Sequence, residues 1–269
     1  MDTSPFLVEP GTAANIADRS TRKKVGFDGS KTEGKRLATG LAERLSELQR
    51  LFWADGRHKV LVVLQAMDTG GKDSTIRHVF HHTNPQGVKV HGFRQPSTLE
   101  RAHDYLWRAH ARTPGDGEIA VFNRSHYEDV LVVRVHSLVD EDRWRRRYRH
   151  IREWERMLAE EGTTIRKFFL HISHDEQRER LQDRIDDPSK HWKFDPGDID
   201  ERKRWDDYQA AFEEAITETS TEWAPWYVVP ADRKWFRNIV IGQALVDTLE
   251  GLDLRYPPPA EGITDLVVR

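Results

Sequence analysis

Cysteine is absent from this 269-residue chain. Disulfide staples and thiolate metal sites are thereby excluded, which suits a cytosolic enzyme. Long apolar runs are missing as well. No stretch approaches the roughly 18 residues of a membrane span, and 1–30 lacks the apolar centre of a signal peptide. A soluble, cytoplasmic protein without a membrane partner is expected. Neither charge is in large excess: 42 Lys and Arg stand against 45 Asp and Glu, a net charge of -3. An anion-binding surface must then be a local patch, and overall basicity does not point to nucleic acid. Internal repeats and low-complexity segments are also lacking, so one α/β domain with elaborations is the economical reading of this length.

What is present is organised around 59–80. Lys59-Val-Leu-Val-Val-Leu-Gln65 is a β-branched and leucine run without alternation, as in a strand buried on both faces. It passes through Ala66-Met-Asp-Thr-Gly-Gly-Lys72 into Asp73-Ser-Thr-Ile-Arg-His-Val-Phe80, where Ile76, Val79 and Phe80 have helical spacing. Strand, glycine turn and helix form a phosphate cradle: backbone N–H groups converge on an oxyanion, the helix start adds partial positive charge, and a lysine reaches the terminal phosphates. Thr69, Gly70, Gly71, Lys72, Asp73 and Ser74 are the candidate phosphate-binding residues. The match to G-x-x-x-x-G-K-[ST] is partial, because Ala66 replaces the first glycine and Asp73 the hydroxyl residue. Taken alone, Gly70-Gly71-Lys72 would also suit a plain turn with a surface lysine. Asp68 is an acid where phosphate is expected, so it reads as a Mg²⁺ ligand or as an acid beside a reacting phosphoryl group.

In chain order, 1–32 is polar and aperiodic and reads as an extended arm or a partly disordered tail without catalytic chemistry; 33–269 is read as the single domain. A helix is expected over 33–55, a second strand at 88–91, a helix over about 98–112 and a third strand at 118–122. That third strand delivers Asn123-Arg-Ser-His-Tyr-Glu-Asp129 to the sheet's carboxyl edge, where open α/β sheets place ligands. Arg124 can face phosphates there. Asn123 stands where an acid for Mg²⁺ is usual, with Glu128 and Asp129 a little further on. A long helix from about 140 to 161 carries Arg145, Arg146 and Arg149 within the densest basic cluster, which is either a solvated face or an anion track. A fourth strand at 164–172 precedes a polar helix containing Arg178, Arg180 and Arg184, then a turn carrying Lys190, Trp192 and Lys193. This region, about 174–200, suits a lid that closes on phosphates, or an ordinary helical hairpin. A helix over 200–218, a fifth strand at 226–229 and a closing helix from 235 to 252 complete the pattern. Five strands alternating with helices imply a mostly parallel sheet covered on both faces. The thirteen histidines, including His78, His81 and His82, carry no H-E-x-x-H or comparable metal pattern.

Three motifs in order, Ala66-Met-Asp-Thr-Gly-Gly-Lys-Asp-Ser74, Phe122-Asn-Arg-Ser-His-Tyr-Glu-Asp-Val-Leu131 and Asp187-Pro-Ser-Lys-His-Trp-Lys-Phe194, closely resemble the polyphosphate kinase 2 family. The likeness extends over roughly 35–252. It implies a three-layer α/β/α P-loop-kinase-like domain with a helical lid, moving phosphoryl groups with Mg²⁺ from inorganic polyphosphate to nucleotides. Asp68, Lys72, Arg124 and Arg184 match the family's catalytic positions. Asn123 is similar to the subgroup that phosphorylates nucleoside monophosphates as well as diphosphates, so AMP, ADP and ATP are implied as partners, with GDP and GTP beside them. With no aspartate at 123, metal binding is expected to lean on Asp68 and Asp129, and less firmly on Glu128. The family also implies a homo-oligomer, a dimer or a tetramer. Two other readings compete. One is an ATP-dependent kinase of the thymidylate-kinase-like type, which Ala66 and Asp73 disfavour. The other is a non-catalytic polyphosphate- or nucleotide-binding module, which would not need Asp68 and Asp129 beside phosphate.

Overall fold

The computed structural model describes residues 1–263 and 266. Strands β1 (Leu7–Val8), β2 (Lys59–Gln65), β3 (Val88–Gly92), β4 (Ile119–Asn123), β5 (Thr163–His171) and β6 (Trp226–Pro230) form one sheet in the order β1-β6-β5-β2-β4-β3. β1 runs antiparallel to β6 and every other pairing is parallel. The helices are α1 (Lys31–Asp55), α2 (Lys72–Val79), α3 (Thr98–Ala102), α4 (Trp107–His110), α5 (Val132–Val135), α6 (Glu141–Glu160), α7 (His174–Asp186), α8 (Gly197–Lys203), α9 (Trp205–Thr219) and α10 (Lys234–Glu250). α1, α2 and α10 pack together in one layer, and α5, α6 and α9 in another.

The reasons are local before they are global. Every residue of β2 after Lys59 is buried, as expected of a central parallel strand with helices over both faces. α1 begins at a capping box, in which Ser30 Oγ accepts from Glu33 N while the Glu33 carboxylate accepts from Ser30 N. Its buried stripe of Ala38, Leu41, Leu45, Leu48 and Phe52 follows the helical period and packs against α10. Gly34 lets the two helices meet, since a Cβ there would lie 2.3 Å from the Trp235 ring.

The sheet corrects the sequence reading in one respect: it has six strands, not five. The extra strand comes from the N-terminal segment, which folds onto the body. Phe6, Val8, Ala14 and Ile16 are buried, and Ser220 Oγ donates to Val8 O at 2.6 Å. These apolar residues are too sparse to show a period, but each finds a place at the sheet edge. Two expected helices are also divided. Between α3 and α4, Asp104 Oδ1 accepts from Leu106 N and Trp107 N and so starts a new helix. Arg204 separates α8 from α9.

The chain leaves β2, builds β3 and β4 on one side, then β5 and β6 on the other. The loop after β2 therefore lies at the switch point, above the carboxyl ends of the strands. Among the described residues, no helix is long and apolar enough to cross a membrane.

Candidate active site

The loop from Ala66 to Gly71 is tightly determined. Thr69 and Gly71 have φ of 62° and 101°, and a Cβ on Gly70 would lie 2.4 Å from that of Ala66. Lys72 opens α2 and is only 9% exposed, its Nζ donating to Ala66 O at 3.0 Å. Burial, and then the charge of Arg124, push its pKa down to about 8. Among the described residues no carboxylate lies within 4 Å of its ammonium, which leaves that charge available to an anion.

β4 delivers the second motif, whose residues point in two directions. Arg124 has φ of 61°; its Nη2 donates to Asp68 Oδ1 at 2.8 Å and its Nη1 lies 3.6 Å from Glu128. The charges of Glu128 and Asp68 raise its pKa further. Asn123 Nδ2 donates to Asp73 Oδ1 at 2.6 Å, tying the strand end to the first turn of α2. Ser125, His126 and Tyr127 face the interior. Ser125 Oγ accepts from Gln65 Nε2, and Tyr127 Oη donates to buried Glu155, which Lys167 Nζ meets at 2.6 Å. Those letters of the motif hold the strand end in place and do not reach the cavity.

A cavity of about 620 Å³ opens over the loop. It brings together Asp68, Thr69, Gly70, Gly71, Lys72, Asp73, Ser74, Asn123, Arg124, Arg184, Lys190 and Lys193, from all three motifs. Sequence reasoning passed over Arg77, Arg94, Gln95, Asp183, Asp198 and Lys234, which line it too, and read Arg180, also on its wall, only as one cation of the lid helix. Arg184 is engaged within the helical hairpin, its Nη1 donating to Lys193 O at 3.1 Å and to Asp198 Oδ2 at 3.2 Å. Burial, then the nearby charge of Asp68, raise the pKa of Asp198. Trp192 does not line the cavity and is 80% exposed.

Three expectations meet a different geometry. Asp129 does not share the Asp68 cavity. Its carboxylate lies 3.5 Å from Arg108 Nη2 and 3.4 Å from Arg147 Nη1, in a second cavity of about 400 Å³. The chain turns at 126–129 and sends that side chain toward α4 and α6. Glu128 sits behind Arg124, in a small crevice with Asp68 and Tyr208. The arginines of α6 divide between two sides of the helix. Arg145 pairs with Glu141 and Glu214, whereas Arg146 lines the second cavity with Arg101, Arg143 and Arg147. Arg149 is exposed and lines neither cavity.

A divalent cation can be tested against these donors. Among the described residues, no group of three His, Cys, Asp or Glu could enclose a metal. Mg²⁺ does not require one, since it commonly takes one or two carboxylates and fills its octahedron with water and substrate phosphates. Asp68 fits that role: it lines the loop cavity, and only its Oδ1 is engaged by Arg124.

A family model described as polyphosphate kinase 2 matches residues 28–256. The chain is 58% identical over 242 residues to an AMP/ADP-polyphosphate phosphotransferase of Meiothermus ruber, covering 90% of this chain and 91% of that protein. It is 44% identical over 267 residues to an ADP-polyphosphate phosphotransferase of Rhodopseudomonas palustris, covering 95% and 92%. The crystal structure of polyphosphate kinase 2 from Arthrobacter aurescens superposes with a TM-score of 0.95 at 42% identity, covering 98% of this chain and 95% of that one.

Proposed function

The chain belongs to the polyphosphate kinase 2 family, and we propose from that premise that its loop cavity transfers phosphoryl groups from inorganic polyphosphate to AMP and ADP. It is a phosphotransferase enzyme. One observation carries the reading: Lys72, Arg124 and Arg184 converge with Asp68 on a single cavity at the carboxyl ends of the strands. The Meiothermus ruber relative, named for both acceptors, supports two successive phosphorylations, and the asparagine at 123 agrees with that subgroup.

Phosphoryl transfer asks little covalent chemistry of a protein; alignment and charge neutralisation do most of the work. Lys72 and Arg124 are placed against the phosphates, with Arg184 approaching from the hairpin. Asp68 would hold Mg²⁺, which when bound supplies positive charge to the phosphate oxygens. Arg124 orients Asp68 by donating to its Oδ1. Asp73, held by Asn123, stands where ATP-dependent P-loop kinases carry a metal-binding hydroxyl, so the thymidylate-kinase-like reading is not favoured.

We read the transfer as direct and in line. Incubation with radiolabelled polyphosphate alone, followed by an acid quench, should leave no label on the protein. A labelled protein that passes its phosphate to ADP would refute direct transfer.

A further inference from the structure

Arg237, in the first turn of α10, is 1% exposed and lies behind the phosphate loop. Its Nη1 donates to Gly71 O at 3.3 Å and its Nη2 to Ser74 Oγ at 3.2 Å, while Asn238 Oδ1 accepts from the same guanidinium at 2.9 Å. All of these acceptors are neutral. Among the described residues no carboxylate pairs with Arg237, and the charge acting on it most is another cation, Arg180. Burial pushes its pKa down to about 9, so it remains charged at neutral pH.

The geometry ties this residue to the site. A Cβ on Gly71 would lie 2.1 Å from Arg237 Nη1, so the loop's second glycine is needed to admit the guanidinium as well as to make the turn. Gly71 O also accepts from Thr75 N, Ser74 Oγ and Thr75 Oγ1. In a planar trans peptide the Lys72 N–H points opposite to that carbonyl, so whatever holds Gly71 O also fixes the direction of this loop donor. Arg180 braces the loop similarly, its Nη1 donating to Thr69 O at 3.0 Å.

We propose that Arg237 is a positioning residue of the donor site, fixing the Gly71–Lys72 peptide and holding behind it a buried positive charge that bound polyphosphate compensates. This rests on the proposed function and takes the loop to be the part of the cavity that holds the polyphosphate donor. An unpartnered buried charge weakens the empty protein and strengthens the complex, a combination that a purely structural arginine does not produce.

The test compares wild type with Arg237→Met, Arg237→Gln and Arg237→Lys. Melting temperatures are measured with and without inorganic tripolyphosphate, and KM for polyphosphate and for ADP is measured separately. The empty Met variant should melt no lower than wild type, and its tripolyphosphate shift should fall below half. Its KM for polyphosphate should rise about tenfold, the scale of one lost charge-assisted contact, while KM for ADP changes little. The Lys variant should recover most of the shift. A Met variant that keeps the full shift and the wild-type KM for polyphosphate overturns the proposal. Should that variant not fold, the neutral Gln variant decides by the same two readouts. A wild type that tripolyphosphate does not stabilise would instead overturn the phosphate-loop reading itself.

Discussion

Lys72 is a charge kept where water cannot reach it well, and its position explains both its usefulness and its cost. Its folded-state pKa of about 8 lies below the ordinary 10.5, so between those values the unfolded chain binds the extra proton. The resulting destabilisation is fully present below pH 8 and fades as pH rises toward 10.5. Because Lys72 is a cation placed against the transferring phosphate, Lys72→Met should remove more than about 3 kcal/mol of transition-state stabilisation. The same variant should melt roughly 2–4 °C higher at pH 7, with the gain shrinking above pH 8. Kinetics and thermal melts across pH 7 to 10 check both, and near-normal kcat/KM would remove Lys72 from the site. The loop residues were legible because glycine, lysine and acid at fixed offsets have few other uses. Arg180 and Arg237 carried no such signal, since an arginine in a helix looks the same in sequence whether it faces solvent or a loop carbonyl. Asp129 misled because its distance along the chain from Arg124 says nothing about which way the turn at 126–129 sends its side chain.

Among the elements, α6 shows what letters hide and periodicity could have revealed. Arg143, Arg146 and Arg147 lie on one side of the helix with His150, and line the second cavity with Arg101 and Arg108. Arg145 and Arg152 are matched by acids of α9: Arg145 lies against Glu214, and Arg152 against Glu218 at 3.1 Å. Arg108 Nη1 donates to Arg94 O, and Arg94 lines the phosphate cavity, so the two cavities adjoin through this segment. We infer that the anion track uses Arg143 and Arg146 in place of the Arg145, Arg146 and Arg149 set. Charge reversal of Arg143 and Arg146 should raise KM for long polyphosphate more than for tripolyphosphate, and reversal of Arg145 and Arg149 should not. Equal effects at both chain lengths would contradict the track. Apart from the short α5, which left no periodic signal, the other helices and the five long strands were legible to within a few residues. The divisions at Asp104 and Arg204 were not, because each depends on a side-chain or backbone geometry that leaves the apolar pattern intact.

Over the whole molecule, a net charge of -3 coexists with a cavity crowded by arginine and lysine. The fold achieves this by bringing to one sheet edge cations that lie far apart in the chain, from Lys72 to Lys234. The parallel order of the five long strands follows from their alternation with helices. The sixth strand did not, since a two-residue pairing is too short to leave a pattern. The proposed function is that this edge moves phosphate from polyphosphate to AMP and to ADP. Its most direct test is nucleotide product analysis after incubating purified protein with Mg²⁺, long-chain polyphosphate and, in separate reactions, AMP, ADP and GDP. ADP and ATP should both appear from AMP. Product only when ATP is supplied as the donor would rule out polyphosphate as the donor and make the chain an ATP-dependent nucleotide kinase.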